Sequence, residues 1–187
     1  MSVTEEPGNG LAPGDQAQGD QARGDQARGD KALGEKDNRA YSRIYQKAIR
    51  MLASREHSRR ELLEKLTRKS SDVPSDCIEQ VLDALAEQGL QCDVRYAESL
   101  IRSRINRGYG PYYIRQELRS KGVAESVLQA CEDWQHTDWL SVVVDLVERK
   151  HPDSQHDQEA WHKAYRFLQR RGFDIQDCRE ALGEMPN

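Results

Sequence analysis

The sequence predicts an all-α protein: an elongated tandem array of three three-helix, helix-turn-helix-like repeats that follows a disordered N-terminal tail. Three observations lead to this prediction. From residue 41 onward, apolar residues recur at helical spacing, and no convincing strand pattern competes with it. The second helix of this pattern returns at offsets of 52 and 50 residues. Hydrophobic residues make up 36% of the chain, which suits a thin core better than a compact globule.

Residues 1–38 are predicted to form the disordered tail. They contain a five-residue repeat, of which Gly14-Asp15-Gln16-Ala17-Gln18 is the first copy. A glycine in every copy opposes a stable helix, and the copies offer almost nothing apolar to bury. The tail is therefore either a solvated segment without specific function or a weak polar interaction arm.

The three repeats are predicted to span residues 39–92, 93–136 and 137–187. None of them could bury the apolar face of its helices alone, which is typical of tandem helical arrays. Their second helices superpose, and the matching residues are Leu62, Leu66 and Lys69, then Ile114, Leu118 and Lys121, then Ala164, Leu168 and Arg171. The third helix of the middle repeat is expected to carry Val127, Leu128 and Cys131.

Residues that favour helix ends mark the boundaries of these second helices. The stretch from Ser58 to Glu61 matches a capping box, in which Ser58 is the N-cap and the Glu61 carboxylate reaches back to its N–H. Gly122 and Gly172 occupy the same position after the second helices of repeats two and three. The first repeat has Ser70 there instead.

A tight turn in the middle repeat separates two cationic helices. Gly108 can adopt the left-handed conformation that closes a helix, and Pro111 suits the first turn of the next one. Tyr112 and Tyr113 are expected to pack over this turn. Tyr109, which lies between two glycines, is expected to be exposed, with packing over the turn as the alternative.

The net charge of −4 hides an alternation along the chain. The net charge is +6 over residues 41–69, −6 over 70–94, +5 over 95–121, −6 over 122–148 and zero over 149–187. In the first two repeats, helices one and two are thus cationic and helix three is anionic. These blocks either pair with one another across helix contacts or form a cationic ridge for a polyanion or an acidic protein groove.

The candidate binding residues lie in the middle repeat. Arg115 and Arg119 are four residues apart and share a helical face, and the other two repeats lack this arginine pair at the corresponding positions. Guanidinium groups suit phosphates and carboxylates. The predicted set of partner-binding or DNA-binding residues is Arg102, Arg104, Arg107, Tyr109, Arg115, Arg119 and Lys121.

The sequence lacks the common motifs of catalysis and cofactor binding. It contains no nucleophile elbow, phosphate-binding loop or HExxH motif, and its four cysteines form no CxxC pair. No apolar run resembles a signal peptide or a membrane span. We therefore expect a cytoplasmic, monomeric binding protein that is not an enzyme and uses no cofactor or metal.

Several motifs resemble the RecX family of regulatory proteins. The central one is Arg104-x-x-Arg107-Gly108-Tyr109-Gly110-Pro111, followed by Ile114-Arg115-Gln116-Glu117-Leu118. The motifs Arg55-x-His57-Ser58-x-x-Glu61-Leu62 and Phe167-Leu168-x-x-Arg171-Gly172-Phe173 resemble the opening and the end of the family pattern. One stretch departs from it, because Gly89-Leu90-Gln91-Cys92-Asp93 replaces the Gly-Tyr-Leu-Asp-Asp of many relatives.

This resemblance implies a regulator of the RecA recombinase. RecX proteins bind along the helical groove of the RecA filament on single-stranded DNA. They limit filament extension and suppress its ATPase, strand-exchange and coprotease activities, which tempers recombination, DNA repair and the SOS response. The alternative that the residues leave open is a helix-turn-helix-type repeat protein that binds single- or double-stranded DNA directly.

Overall fold

The computed structural model describes residue 34 and residues 37–186. The predicted disordered tail, residues 1–38, lies outside the described residues apart from residues 34, 37 and 38. Residues 37 and 38 belong to the first helix rather than to the tail. All regular structure in the described residues is helical, as predicted.

The helices in the described part of the chain follow one another with short connections. Helix α1 covers residues 37–52. The remaining α-helices are α2 (Arg59–Lys69), α3 (Ser75–Glu87), α4 (Asp93–Asn106), α5 (Pro111–Ser120), α6 (Glu125–Gln129), α7 (Glu132–His136), α8 (Trp139–Lys150), α9 (Gln158–Arg171) and α10 (Ile175–Leu182). A 3₁₀ turn, Pro152–Gln155, links α8 to α9.

The apolar faces of these helices form three separate cores in chain order. The first core joins α1, α2 and α3 around Leu62 and Leu82. The second core joins α4 to α7 around Ile101 and Ile114, and the third joins α8, α9 and α10 around Leu168. The three cores confirm the predicted tandem array of helical repeats, and we refer to the corresponding helix groups as repeats 1, 2 and 3.

The third helix of repeat 2 is broken, whereas the sequence predicted one helix through Val127, Leu128 and Cys131. The backbone of Cys131 is extended, with φ −78° and ψ 123°, and it separates α6 from α7. The thiol of Cys131 is fully buried and donates to the carbonyl of Val127 at 3.3 Å. The break places Trp134 edge-on to Trp139, with 5.3 Å between their ring centroids.

Repeats 1 and 2 meet where the start of α2 lies against the end of α5. The Ser58 hydroxyl, which precedes α2, donates to the Lys121 carbonyl after α5 at 2.8 Å. The last carbonyls of a helix have no partner within it, so this contact satisfies one of them. We call this contact region the 1–2 joint.

Repeats 2 and 3 meet in the same way, because the start of α5 lies against the end of α9. The Gly110 N–H donates to the Arg171 carbonyl at 2.8 Å, and the Tyr112 N–H donates to the Gly172 carbonyl at 3.0 Å. We call this contact region the 2–3 joint. The second helices of the three repeats are thus linked end to end, N-terminus against C-terminus.

The glycines that follow α5 and α9 are required by these joints. Gly122 and Gly172 have positive φ angles of 77° and 84°. A Cβ on Gly122 would lie 2.6 Å from the Cδ of Arg60, and a Cβ on Gly172 would lie 2.4 Å from the backbone nitrogen of Tyr113. The matching glycines therefore mark the positions where the preceding repeat packs.

Ser70 occupies the equivalent position in repeat 1, where no earlier repeat packs in the described residues. Its φ of −149° is accessible to any residue. The Lys47 ammonium donates to the Lys69 carbonyl at 2.8 Å and to the Ser70 hydroxyl at 2.9 Å. The Lys47 side chain of repeat 1 thus provides the donor for the carbonyl at the end of α2. This position therefore does not require a glycine and can be a serine.

Candidate interaction surface

The turn between α4 and α5 has the geometry that the sequence predicted. Gly108 has a φ of 73°, and its N–H bonds to the Ile105 carbonyl at 2.8 Å. Pro111 is the first residue of α5. Gly108 also packs against repeat 3, because a Cβ there would lie 2.7 Å from a methyl group of Leu146. Residues of repeat 2 and of repeat 3 therefore both hold the turn in place.

Tyr109 is partly buried, so the expectation that it is exposed was wrong. Its ring stacks on that of Tyr113 with 4.2 Å between centroids, and the Arg171 guanidinium lies 4.5 Å from its centroid. The Arg171 guanidinium also donates to the Arg107 carbonyl at 2.9 Å. Arg171, which is more than sixty positions away in the chain, thus covers Tyr109 at the 2–3 joint.

Tyr112 is 59% exposed, so the expectation that it packs over the turn was also wrong. The core of repeat 2 contains Ile114 and Leu118 from α5. A residue two positions before Ile114 lies on the opposite side of a helix with 3.6 residues per turn. Tyr113, which is 37% exposed, does pack on Tyr109 at the turn.

Arg104 is held by the carboxylate of Glu117 through two hydrogen bonds of 2.6 and 2.5 Å. Both side chains are about one-fifth exposed. The hydrogen bond to Glu117 raises the pKa of Arg104 above its usual value, against the effect of burial. This pair ties α4 to α5, so Arg104 is a structural link within repeat 2.

Acidic side chains after α5 hold two further arginines of the predicted set. Arg102 pairs with Asp133 of α7 at 2.6 Å, and Arg115 pairs with Glu125 of α6 at 3.3 Å. In repeat 1, Arg59 of α2 likewise pairs with two carboxylates of α3. The charge blocks therefore do pair across helix contacts, which was one of the two interpretations of the alternating charge.

The remaining cations of the predicted set reach solvent. Arg107 and Arg119 are exposed, and Lys121 is half-buried beside the 1–2 joint. Within the part of the chain that the structure describes, none of these three has an acidic partner within 4.0 Å. Arg115 and Arg119 share the solvent face of α5, whereas Arg102 and Arg104 belong to α4.

A cleft of about 310 Å³ lies at the 1–2 joint, and its lining includes Arg55, Glu61, Tyr96, Arg104 and Lys121. Burial raises the pKa of Tyr96 to about 12. Burial also opposes the charge on Glu61, but hydrogen bonds from Arg55 and a lysine outweigh it and lower the Glu61 pKa to about 2. Most of the charged side chains that line the cleft are therefore already paired, and Lys121 is the exception among the described residues.

The predicted capping box at the start of α2 forms only in part. The Ser58 hydroxyl accepts from the Glu61 N–H at 3.1 Å, as expected. The Glu61 carboxylate does not reach back to Ser58 but binds Arg55 at 2.6 Å and Lys65 at 3.0 Å. These pairs explain the difference, because two cations compete with one backbone N–H for the same carboxylate.

Buried His57 connects the same group of residues. Its Nδ1 lies 3.0 Å from the Arg55 carbonyl, and its Nε2 lies 3.0 Å from the Lys65 ammonium. Burial lowers the pKa of His57 below its usual value, so the ring is neutral at pH 7 and its Nε2 can accept from Lys65. Sequence reasoning missed this cluster, although the four-residue spacing of Glu61 and Lys65 could have indicated part of it.

No helix among residues 37–186 is both long and apolar enough to span a bilayer. The same residues contain no group of three or more His, Cys, Asp and Glu side chains arranged to bind a metal ion.

Comparison with known proteins identifies the family. Three domain models, for the first, second and third three-helix domains of RecX, match residues 45–85, 93–131 and 137–182 in that order. The chain belongs to the RecX family. The resemblance that the sequence motifs indicated is thereby confirmed, and each matched RecX domain coincides with one of the three helical cores.

Individual RecX relatives cover most of the chain. The regulatory protein RecX of Halorhodospira halophila is 44% identical over 138 residues, which cover 72% of this chain and 83% of the relative. That of Chromohalobacter salexigens is 38% identical over 135 residues, covering 72% and 88%. The crystal structure of RecX from Lactobacillus salivarius superposes with a TM-score of 0.65 at 26% identity, covering 78% of this chain and 96% of that one.

Proposed function

We propose that this RecX-family chain is a non-enzymatic, cytoplasmic regulator that binds the RecA filament on single-stranded DNA as a monomer. It inhibits filament extension, ATP hydrolysis, strand exchange and coprotease activity, and so tempers recombination and the SOS response. The observation that carries this proposal is the match of all three RecX domains, in order, to the three repeats. The relatives over the same residues are named regulatory proteins.

The end-to-end arrangement of the second helices supports binding to an extended partner. Helices α2, α5 and α9 contribute 11, 10 and 14 residues, which amounts to about 50 Å of helix. We propose that residues 39–92, 93–136 and 137–187 act as three successive units along the groove of the filament. A groove is better matched by a long, continuous binding surface than by a compact pocket.

The predicted binding residues divide into two roles in this proposal. Arg107, Arg115, Arg119 and Lys121 contact the filament, because their charged ends are exposed or lie beside the cleft. Arg102 joins them when it exchanges Asp133 for an acidic group of the partner. The other two residues, Arg104 and Tyr109, hold the α4–α5 turn in place through Glu117, Tyr113 and Arg171.

The test is the DNA-dependent ATP hydrolysis of RecA with substoichiometric amounts of the full chain. We expect inhibition by the natural chain and a loss of potency of about tenfold or more for Arg115→Glu with Arg119→Glu, because two contacts become repulsive. Arg43→Glu with Arg50→Glu makes the same charge change on α1 and is the matched control. A natural chain that does not inhibit at any ratio would contradict the proposal.

The second candidate function is direct binding to nucleic acid. The observation that favours it is the exposure of Arg107 and Arg119 without acidic partners among the described residues. Such binding weakens as salt rises, and each phosphate contact adds roughly one unit to the slope of log affinity against log salt. Absent or salt-insensitive binding to DNA without RecA would exclude it as the main activity.

A further inference from the structure

The 2–3 joint places an exposed aromatic ring beside arginines of two repeats. The backbone N–H of Tyr112 donates to the Gly172 carbonyl, so the first turn of α5 lies against the last turn of α9. Arg170 belongs to that last turn. The ring of Tyr112 stays outside the contact, and Tyr112 is the most exposed of the large hydrophobic residues in the described part of the chain.

The solvent face of α5 extends from this ring as a cationic stripe. Tyr112, Arg115 and Arg119 are three, four and seven residues apart, so they lie on one side of the helix over about 10 Å. The sole acidic residue of α5 is Glu117, which is half-buried and bound by Arg104. Helix α5 itself thus places no free carboxylate beside the stripe, and the one described carboxylate that pairs with it is Glu125 of α6, 3.3 Å from Arg115.

Helix α9 carries a second pair of exposed arginines on the other side of the joint. Arg166 and Arg170 are four residues apart and exposed, and the described ion pairs include neither of them. The acidic residue of α9 is Glu159, at the far end of the helix, where it pairs with Lys163 at 2.8 Å. The net charge of residues 149–187 is zero, so the net charges of the chain segments gave no sign of this arginine pair.

We propose that single-stranded nucleic acid binds across the 2–3 joint on these five residues, which we call the joint surface: Tyr112, Arg115, Arg119, Arg166 and Arg170. A base stacks on the Tyr112 ring, and the arginines on either side bind the phosphates. An exposed ring can stack on an unpaired base but not on one inside a duplex, so the surface selects single strands. This inference rests on the second candidate function, and RecA inhibition does not depend on it.

The test compares the affinity of the full chain for a short oligothymidylate with that for an abasic strand of the same length. The abasic strand keeps the phosphates and lacks the bases. We expect the natural chain to bind the oligothymidylate about tenfold more tightly, because stacking on one aromatic ring accounts for a difference of this size. Tyr112→Ala brings this ratio close to one, and Tyr112→Phe preserves it.

Two further variants separate stacking from charge. His162 occupies the position of α9 that corresponds to Tyr112 in the superposition of second helices and is also exposed, so His162→Ala is the matched control and leaves the ratio unchanged. Arg170→Gln weakens the binding of both strands equally and lowers the salt slope by about one unit. Circular dichroism checks that each variant is folded.

Four results would overturn the inference. The natural chain could bind neither strand, or bind both equally, which would mean that no base is recognised. Tyr112→Ala could leave the ratio unchanged, which would place any stacking elsewhere. Tyr112→Ala could also leave oligothymidylate binding intact while weakening RecA inhibition, which would assign the joint surface to a protein partner. Loss of RecA inhibition in the natural chain would contradict only the main proposed function.

Discussion

The two joints place equivalent helices end to end by different chemistry. At the 1–2 joint, a side chain makes the contact, since the Ser58 hydroxyl donates to the Lys121 carbonyl. At the 2–3 joint, the backbone N–H groups of Gly110 and Tyr112 donate directly to the carbonyls of Arg171 and Gly172 at the end of α9. The shared element is a helix N-terminus that provides donors to the unpaired carbonyls of a helix C-terminus. The two joints therefore share the same geometry but not the same side chains.

The two joints also differ in how closely the backbones approach. A Cβ on Gly172 would meet the backbone of Tyr113, and one on Gly110 would lie 2.5 Å from the Gly172 carbonyl oxygen. A Cβ on Gly122 would instead meet the side chain of Arg60. A backbone segment fixed in a helix cannot move aside as a side chain can. The 2–3 joint is thus rigid, whereas the 1–2 joint can adjust.

The largest expected effect is that of Gly172→Ala at the rigid joint. The new methyl group adds the strain of a left-handed conformation to an overlap with backbone atoms on α5. We expect the free energy of unfolding to fall by about 3 kcal/mol or more, measured by urea denaturation of the full chain.

Gly89→Ala is the control that separates the two contributions. Gly89 also has a positive φ, 66°, but a Cβ there would have nothing within 4 Å. This variant therefore reports the backbone strain alone, about 1 kcal/mol. Equal losses for Gly89→Ala and Gly172→Ala would show that the close contact at the 2–3 joint contributes nothing.

Gly122→Ala at the adjustable joint is expected to cost less, about 2 kcal/mol by urea denaturation. The overlap is with the Arg60 side chain, whose outer atoms can rotate away. Arg60→Ala removes those atoms, so the cost of Gly122→Ala should be smaller in that background. The same cost in both backgrounds would mean that Arg60 is not the obstacle.

Much of the fold could be predicted from the sequence because its signals are local. Helical periodicity, the glycines after α4, α5 and α9 and the match between second helices all come from neighbouring residues or from internal comparison. The break at Cys131 could not be predicted, because no glycine or proline marks it. It depends on the burial of one thiol and on the contact between Trp134 and Trp139, which only tertiary packing creates.

The candidate site was harder to predict because its residues interact between helices and between repeats. Tyr109 is covered by Arg171, and Arg104 is occupied by Glu117, and neither pairing has a local signal. Tyr112 could have been placed correctly, since its position relative to Ile114 puts it on the outer face of α5. Tyr112 is near the turn in the sequence, but on α5 it lies on the side opposite the core residue Ile114.

The smallest of these effects is that of Glu61→Gln, which removes the two ion pairs that Glu61 makes within repeat 1, beside the 1–2 joint. The pKa of Glu61 in the folded chain, about 2, lies below its ordinary value of 4.5, so folding favours the charged form. The carboxylate thus stabilises the fold above pH 4.5, and this contribution disappears as the pH falls through 2. Since Arg55 is half-exposed, we expect Glu61→Gln to cost about 1 kcal/mol at pH 7.

Urea denaturation between pH 3 and pH 7 measures this effect. The difference between Glu61→Gln and the natural chain should shrink as the pH falls, with more than half of it gone at about pH 3. Glu64→Gln removes the same charge from the same helix, but both members of the Glu64–Arg60 pair are more than half exposed, so its effect should be smaller at every pH. The loss caused by Gly172→Ala arises from steric overlap and should stay constant over this range. A constant Glu61→Gln difference would show that the pairs of Glu61 with Arg55 and Lys65 contribute no charge-dependent stability.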